Sequence, residues 1–148
     1  MSQESLSQAD YRSLAEFRYQ IRRFLSFSED AAREAGINTA QHQLLLALRG
    51  IPSGTAPSVG NLAQRLLLRH HSTVELIDRL ERRGLVRRVA SGIDRRQVLI
   101  EITARGGRLL ERLSVIHRAE LRSEGAALMR ALRLLIVPQG VRRRPPSL

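Results

Sequence analysis

The chain has 148 residues and a formal net charge of +11, from 25 arginines set against 14 acids, with neither lysine nor cysteine. Those absences together exclude disulfides, thiolate metal sites, a cysteine nucleophile, thiol redox sensing, a P-loop lysine and a Schiff-base lysine. The length predicts one folding unit with its own core, and the longest apolar run, the five residues Leu44 to Leu48, is far short of the roughly 20 a membrane span needs.

Residues 1 to 6 carry no pattern and are expected to fray; no basic-then-apolar signal precedes the first helix, and a cytoplasmic location is expected. Ser7 and Asp10 predict an N-cap with an acidic partner. After it, Leu14, Phe17, Ile21 and Phe24 recur at spacings of three and four along an amphipathic helix to about Glu34, ended by Gly36. All five aromatics (Tyr11, Phe17, Tyr19, Phe24 and Phe27) fall in this helix. Core or subunit packing is the plainer use for them, and a pocket for a small apolar ligand the sharper one. Thr39 is expected to cap a second helix over residues 40 to 49, with Leu44, Leu45 and Leu48 inward and Gly50 as its stop. The Pro, Ser and Gly content of residues 51 to 58 marks a connector with room for a short strand.

Residues 58 to 103 organise the rest of the chain. Ser58 caps a third helix that buries Val59, Leu62, Ala63 and Leu66; after a turn at Leu68 and Arg69, a fourth runs from about His71 to Arg83 and ends at Gly84. Val74, Ile77 and Leu80 take its inner side, while Ser72, Glu75, Arg79 and Arg82 step along the opposite one. Taken alone, that outer face also fits a solvated surface laced by Glu75–Arg79 and Asp78–Arg82 pairs. Two strands follow, residues 85 to 90 and 97 to 103, around a doubly basic tip, SGIDRR. Two short helices and a basic-tipped hairpin, in that order, make a winged helix-turn-helix, with the fourth helix aimed at a major groove and the tip at a minor groove. Asp94 beside phosphate would repel it, so its expected task is to accept hydrogen bonds at the tip and hold Arg96 in place.

Thr103 is expected to cap a fifth helix with an apolar stripe of Leu109, Leu110, Leu113, Ile116 and Leu121; a last helix, from about Gly125 to Val137, stops at Pro138. These helices carry more apolar surface than a small winged domain covers, which predicts a homodimer. The predicted organisation is mainly α: a DNA-binding lobe at 58–103 with a small β-hairpin wing, a helical dimerisation lobe from 7–50 and 104–137, and a disordered tail at 138–148. The charge follows this division, with six arginines against six acids in residues 1 to 57, nine against five in 58 to 103, and ten against three beyond. Charge alone does not separate DNA, RNA and an anionic membrane surface.

The ordering, with AGINTAQHQLLLAL, NLAQRL, STVELIDRLERRGLVRR, the wing pair Asp94 and Arg96, and the Thr103 and Gly106 opening of the next helix, resembles the MarR family of transcriptional regulators over roughly residues 10 to 136. The resemblance implies a homodimer with interlocked first and last helices, and often repression relieved by a small phenolic or aromatic ligand docked between the dimer helices and the winged domain. It places base-edge work on Arg69, His70, His71, Ser72, Val74 and Glu75 and minor-groove work on Arg96; the outer face of the fourth helix adds Arg79 to the expected DNA-binding residues, and the wing tip adds Asp94 and Arg95. Double-stranded DNA, a second copy and a small aromatic effector are thus the expected partners, with no membrane, cofactor or metal.

Adjacent His70 and His71 diverge by roughly 100° on a helix, which disfavours a shared metal. His42 and His117 stand alone on apolar helices and read as packed core or rim, with a metal role left open. No G-x-S-x-G, H-E-x-x-H or G-x-G-x-x-G occurs, so no enzyme is expected. The rival is a sequence-nonspecific nucleic-acid-binding protein, RNA- or chromosome-associated, although the lack of aromatics after Phe27 disfavours stacking on single strands.

Overall fold

The computed structural model describes residues 5–94 and 96–137, so the expectations for residues 1–4, Arg95 and the tail from Pro138 lie outside the described residues. Five helices and one hairpin follow in the order α1 (Gln8–Glu34), α2 (Thr39–Arg49), α3 (Val59–Leu66), α4 (His70–Arg82), β1 (Val86–Ala90), β2 (Val98–Ile102) and α5 (Ala104–Ile136).

The helix ends show the local chemistry at work. Ser7 donates from its N–H and hydroxyl to the Asp10 carboxylate at 2.7 and 2.6 Å, and Asp10 N–H donates back to Ser7 Oγ at 3.2 Å. Gly36, at φ +83°, turns the chain out of α1 in the left-handed region. The cap of α2 is Asn38 rather than Thr39. Asn38 Oδ1 accepts from Gln41 N–H at 2.8 Å while Gln41 Oε1 accepts from Asn38 N–H at 3.0 Å, a reciprocal box that only Asn38, three residues before a Gln, can close. Ser58 caps α3 as expected.

The hairpin pairs Val86 with Ile102 and Ala90 with Val98 in antiparallel register. Arg87 stands opposite Glu101 in that register and donates to it at 2.9 and 2.7 Å. The connector lies against β2 as one bridge, Ser58 to Leu99, with Ile100 N–H donating to the Pro57 carbonyl at 2.8 Å. The expected break before Gly125 does not occur, and α5 runs straight through it. A helical glycine costs only about 1 kcal/mol relative to alanine, which the good helix formers Ala126, Ala127 and Leu128 tolerate.

Contacts divide the chain into two compact units. The larger, Ser28–His117, holds α2, α3, α4 and the hairpin with the adjoining ends of α1 and α5; its core includes Leu44, Leu45, Leu62, Ile77, Leu80 and Ile100, all at most 1% exposed. Leu113 of α5 belongs to this core at 1% exposed, whereas Ile116, on the same expected stripe, is 45% exposed. The other unit joins residues up to Phe27 with those from Arg118 on; in it Arg23 pairs with Glu124 at 3.5 Å, and Gln20 and Ala131 are buried. No described helix is long and apolar enough to cross a membrane.

Candidate nucleic-acid interface

The candidate interface is built on α3, α4 and the hairpin. Leu67 caps the end of α3 at φ +55°, a left-handed conformation unusual for leucine, and is 92% exposed. This turn delivers the chain into α4 at His70, one residue earlier than the sequence suggests.

Helix α4 buries Thr73, Leu76, Ile77 and Leu80. Of the expected inner residues, Ile77 and Leu80 are buried and Val74 is half-buried, while the buried Thr73 and Leu76 lie outside the predicted inner set. Thr73 is fully buried because its hydroxyl donates to the Arg69 carbonyl at 3.0 Å, beside its own N–H to the same oxygen at 3.1 Å, which anchors the first turn. On the opposite side, His71, Glu75, Arg79 and Arg82 are exposed and follow one another at spacings of four, four and three, so they share a face. Arg69 and His70 are exposed at the entry of the helix, and Ser72 is half-buried.

The start of α4 differs from those of α2 and α3. Its N-cap, Arg69, makes no side-chain capping hydrogen bond, and no acid lies in the first turn. The positive end of the helix dipole and the first N–H groups are therefore left to an outside acceptor, and a phosphate oxygen meets both needs.

The ion pairs of the alternative solvated-surface reading, Glu75–Arg79 and Asp78–Arg82, do not form among the described residues. Asp78 turns instead to Arg88 of β1 at 2.6 Å, and Glu81 takes the same guanidinium at 2.8 Å and the Arg88 N–H at 3.0 Å. Burial works against the Arg88 charge, but the hydrogen bonds and charges of Asp78 and Glu81 outweigh it and hold its pKa above the ordinary arginine value. The acids of α4 thus fasten the hairpin to the helix. Among the described residues, Glu75, Arg79 and Arg82 have no ion-pair partner, which leaves the outer face free. Arg88 is the residue that sequence reasoning missed; its only local signal is an arginine on an alternating strand beside two acids of the preceding helix.

At the wing tip, Asp94 Oδ1 accepts from the Arg96 N–H at 2.9 Å, and Ser91 Oγ accepts from Ile93 and Asp94 N–H at 3.3 and 3.4 Å. Asp94 and Arg96 are exposed, and Arg95 lies outside the described residues. The base of the hairpin is held differently. Thr103 donates its hydroxyl to the Gly84 carbonyl at 2.6 Å and its N–H to the Leu85 carbonyl at 3.1 Å, and its Oγ accepts from Gly106 N–H at 3.1 Å. A Cβ at Gly106 would sit 2.1 Å from the Leu85 carbonyl oxygen, so only glycine lets α5 approach here.

His42 and His117 come together in the core with ring centroids 4.7 Å apart. The Leu113 carbonyl, which can only accept, lies 2.7 Å from His117 Nδ1, and Ser28 Oγ lies 2.8 Å from its Nε2. Both ring nitrogens of His117 are therefore engaged. His42 is 2% exposed with Nδ1 unpartnered, and burial, with a smaller contribution from His117, lowers its pKa. Among the described residues no three His, Asp or Glu side chains form a ligand set.

The model of the MarR family matches residues 35–97. No curated protein matches the chain. Among solved structures, AbsC, a MarR family transcriptional regulator from Streptomyces coelicolor, superposes with a TM-score of 0.72 at 19% identity, covering 92% of this chain and 95% of that one. CouR from Rhodococcus jostii RHA1, bound to p-coumaroyl-CoA, gives 0.66 at 25% identity, covering 91% and 99%. The S. aureus MepR–DNA complex gives 0.59 at 21% identity, covering 80% and 97%. Residues 35–97, with the capped helices, α4 and the first part of the wing, therefore match the MarR family, and the chain as a whole has the fold of solved MarR family regulators.

Proposed function

We propose that the protein is a transcription regulator that binds a pseudo-palindromic duplex as a two-fold homodimer and acts as a repressor. The observation that carries this reading is the state of α4: an uncapped, acid-free N-terminus continuous with an exposed face of His71, Glu75, Arg79 and Arg82 that its own acids leave unpaired. A duplex supplies what each part lacks, phosphate at the helix end and base edges along the face. Arg96, presented at the wing tip by Asp94, supplies the minor-groove contact. Arg69, His70, Ser72 and Val74 are assigned to the same surface, and Arg95 to the wing.

The dimer is supported by where apolar surface is left exposed. Tyr11, Leu14, Tyr19 and Leu25 on α1, and Ile116, Leu121, Met129 and Leu132 on α5, are each at least 40% exposed. Apolar exposure concentrated on two helices marks an association face. Release by a small aromatic or phenolic ligand is supported by CouR, a structural relative bound to an aromatic acyl-CoA.

The test is binding at fixed salt to a duplex carrying the inverted repeat nearest the protein's own coding region, to a scrambled duplex and to a single strand, with and without a panel of aromatic carboxylates and phenols. The repeat should win by at least about 10³, with two chains per duplex. Equal binding to all three nucleic acids would instead make the protein a sequence-blind binder.

A further inference from the structure

At the C-terminal end of α4 and the base of the hairpin lies a cleft of about 380 Å³ whose rim holds four arginines, Arg83, Arg105, Arg108 and Arg112, against one acid, Glu111. The floor is apolar, with Leu85 and Leu109 at 2% and 6% exposed. Among the described residues none of the four guanidiniums has an ion-pair partner, although Arg23, Arg33, Arg87 and Arg88 all do. Only Arg83 has a side-chain hydrogen bond, to Gln41 Oε1 at 3.4 Å. Arg105, Arg108 and Arg112 follow at spacings of three and four, so they present charge on one face of α5.

By itself this arrangement of charge is unfavourable. Four like charges around one concavity repel, and Arg105 stands in the first turn of α5, where the helix dipole disfavours cations and no acid compensates. A bound anion removes both penalties, and a concave surface lined by one sign of charge concentrates its field on such a ligand.

The cleft lies away from the exposed start of α4 and from the wing tip. Arg83 follows the last residue of α4, about 20 Å along the axis from His70 at 1.5 Å per residue. Leu85 and Thr103 close the base of a hairpin whose tip is about 17 Å away at 3.4 Å per residue.

We propose that the cleft is a binding site for a small organic polyanion, one that joins two or more phosphate or carboxylate groups to a flat or apolar body. The charges meet the arginine rim and the body covers Leu85 and Leu109; the volume suits a molecule of nucleotide size. The site goes beyond the DNA-binding reading and is measured without DNA.

Calorimetric titration of the full chain at constant ionic strength tests it with three probes: ATP without divalent metal, citrate, and inorganic phosphate. ATP should bind most tightly and phosphate most weakly. Arg105→Gln with Arg112→Gln should weaken ATP binding by at least about tenfold. Arg18→Gln with Arg22→Gln, an equal charge change on α1, should leave it within about twofold. Arg108→Gln alone should give an intermediate loss, and matched melting temperatures identify folded variants. Binding of none of the probes, or equal losses in the cleft and control variants, overturns the proposal. It is also overturned if a scrambled duplex loses tenfold in affinity in the cleft variant alone, since the arginines would then belong to DNA.

Discussion

Replacing Gly106 with alanine tests how the wing base and α5 are joined. The added Cβ would lie 2.1 Å from the Leu85 carbonyl oxygen and 3.0 Å from Ile102 Cγ1. An ordinary carbon–oxygen contact is about 3.3 Å, so α5 and the Gly84–Leu85 turn must part by about 1.2 Å. That opening stretches the Thr103 N–H bond to Leu85, now 3.1 Å, beyond hydrogen-bond range and disturbs the 2.6 Å bond from Thr103 Oγ to Gly84. Two bonds at about 1 kcal/mol each, with about 1 to 3 kcal/mol for overpacking beside buried Leu85, give a loss of about 3 to 5 kcal/mol. Urea denaturation followed by circular dichroism measures it. Gly107→Ala is the control. Its nearest neighbour is the flexible end of Arg49, which can swing aside, and helix propensity then favours alanine by up to about 1 kcal/mol. A Gly106→Ala protein within about 0.5 kcal/mol of the parent would refute the reasoning.

Arg88→Ala should cost about 1 to 2 kcal/mol, discounted for the solvent around Asp78 and Glu81, and should weaken duplex binding because the wing is no longer fastened to α4. Arg87→Ala, which breaks only an exposed cross-strand pair, should cost less than about 1 kcal/mol, and equal costs would count against the tie. The folded state holds His42 below its ordinary pKa of 6.5, so unfolding takes up a proton as pH falls. The His42 contribution is therefore complete above about pH 6.5 and lost as pH drops from there through the folded pKa, at up to about 1.4 kcal/mol per pH unit. Melting curves from pH 8 to 5 should show this slope and His42→Leu should flatten it; an unchanged slope in the variant would exclude His42 as its source. Ile116→Asp should give a folded monomer where the parent sediments as a dimer, and a monomeric parent would remove the dimer from the account.

The sequence was most legible where structure is local. Ser7 with Asp10, Ser58, Gly36, Gly84 and Thr103 each act within a few residues of where their chemistry is written, and strand alternation located the hairpin. Neighbouring cues misled where two competed, as when Asn38 took the cap from Thr39 by having Gln41 in reach, and where a single glycine, Gly125, was too weak to break a helix. Pairings between distant segments left no local trace. Asp78 could choose Arg82 four residues on or Arg88 across a turn, and only the packed hairpin decides for Arg88. Leu113 and Ile116 look alike on a helical stripe, yet one fills the core and the other stays exposed, because which side of α5 meets the winged unit is set by packing. The meeting of His42 with His117 and the arginine rim around Leu85 have the same origin. The outer face of α4 was legible because nothing distant claims it.

The most direct measurement compares Ser72→Ala, Glu75→Ala and Arg96→Ala for binding to the inverted-repeat duplex and to a scrambled one across a salt series. If the N-terminal half of α4 reads bases, the Ser72 and Glu75 variants lose about 1 to 3 kcal/mol on the repeat and little on the scrambled duplex. Arg96→Ala loses affinity on both duplexes alike, and its log–log salt slope falls by about 0.9. Equal proportional losses on the two duplexes for all three variants would contradict the account and leave a protein that grips DNA without reading it.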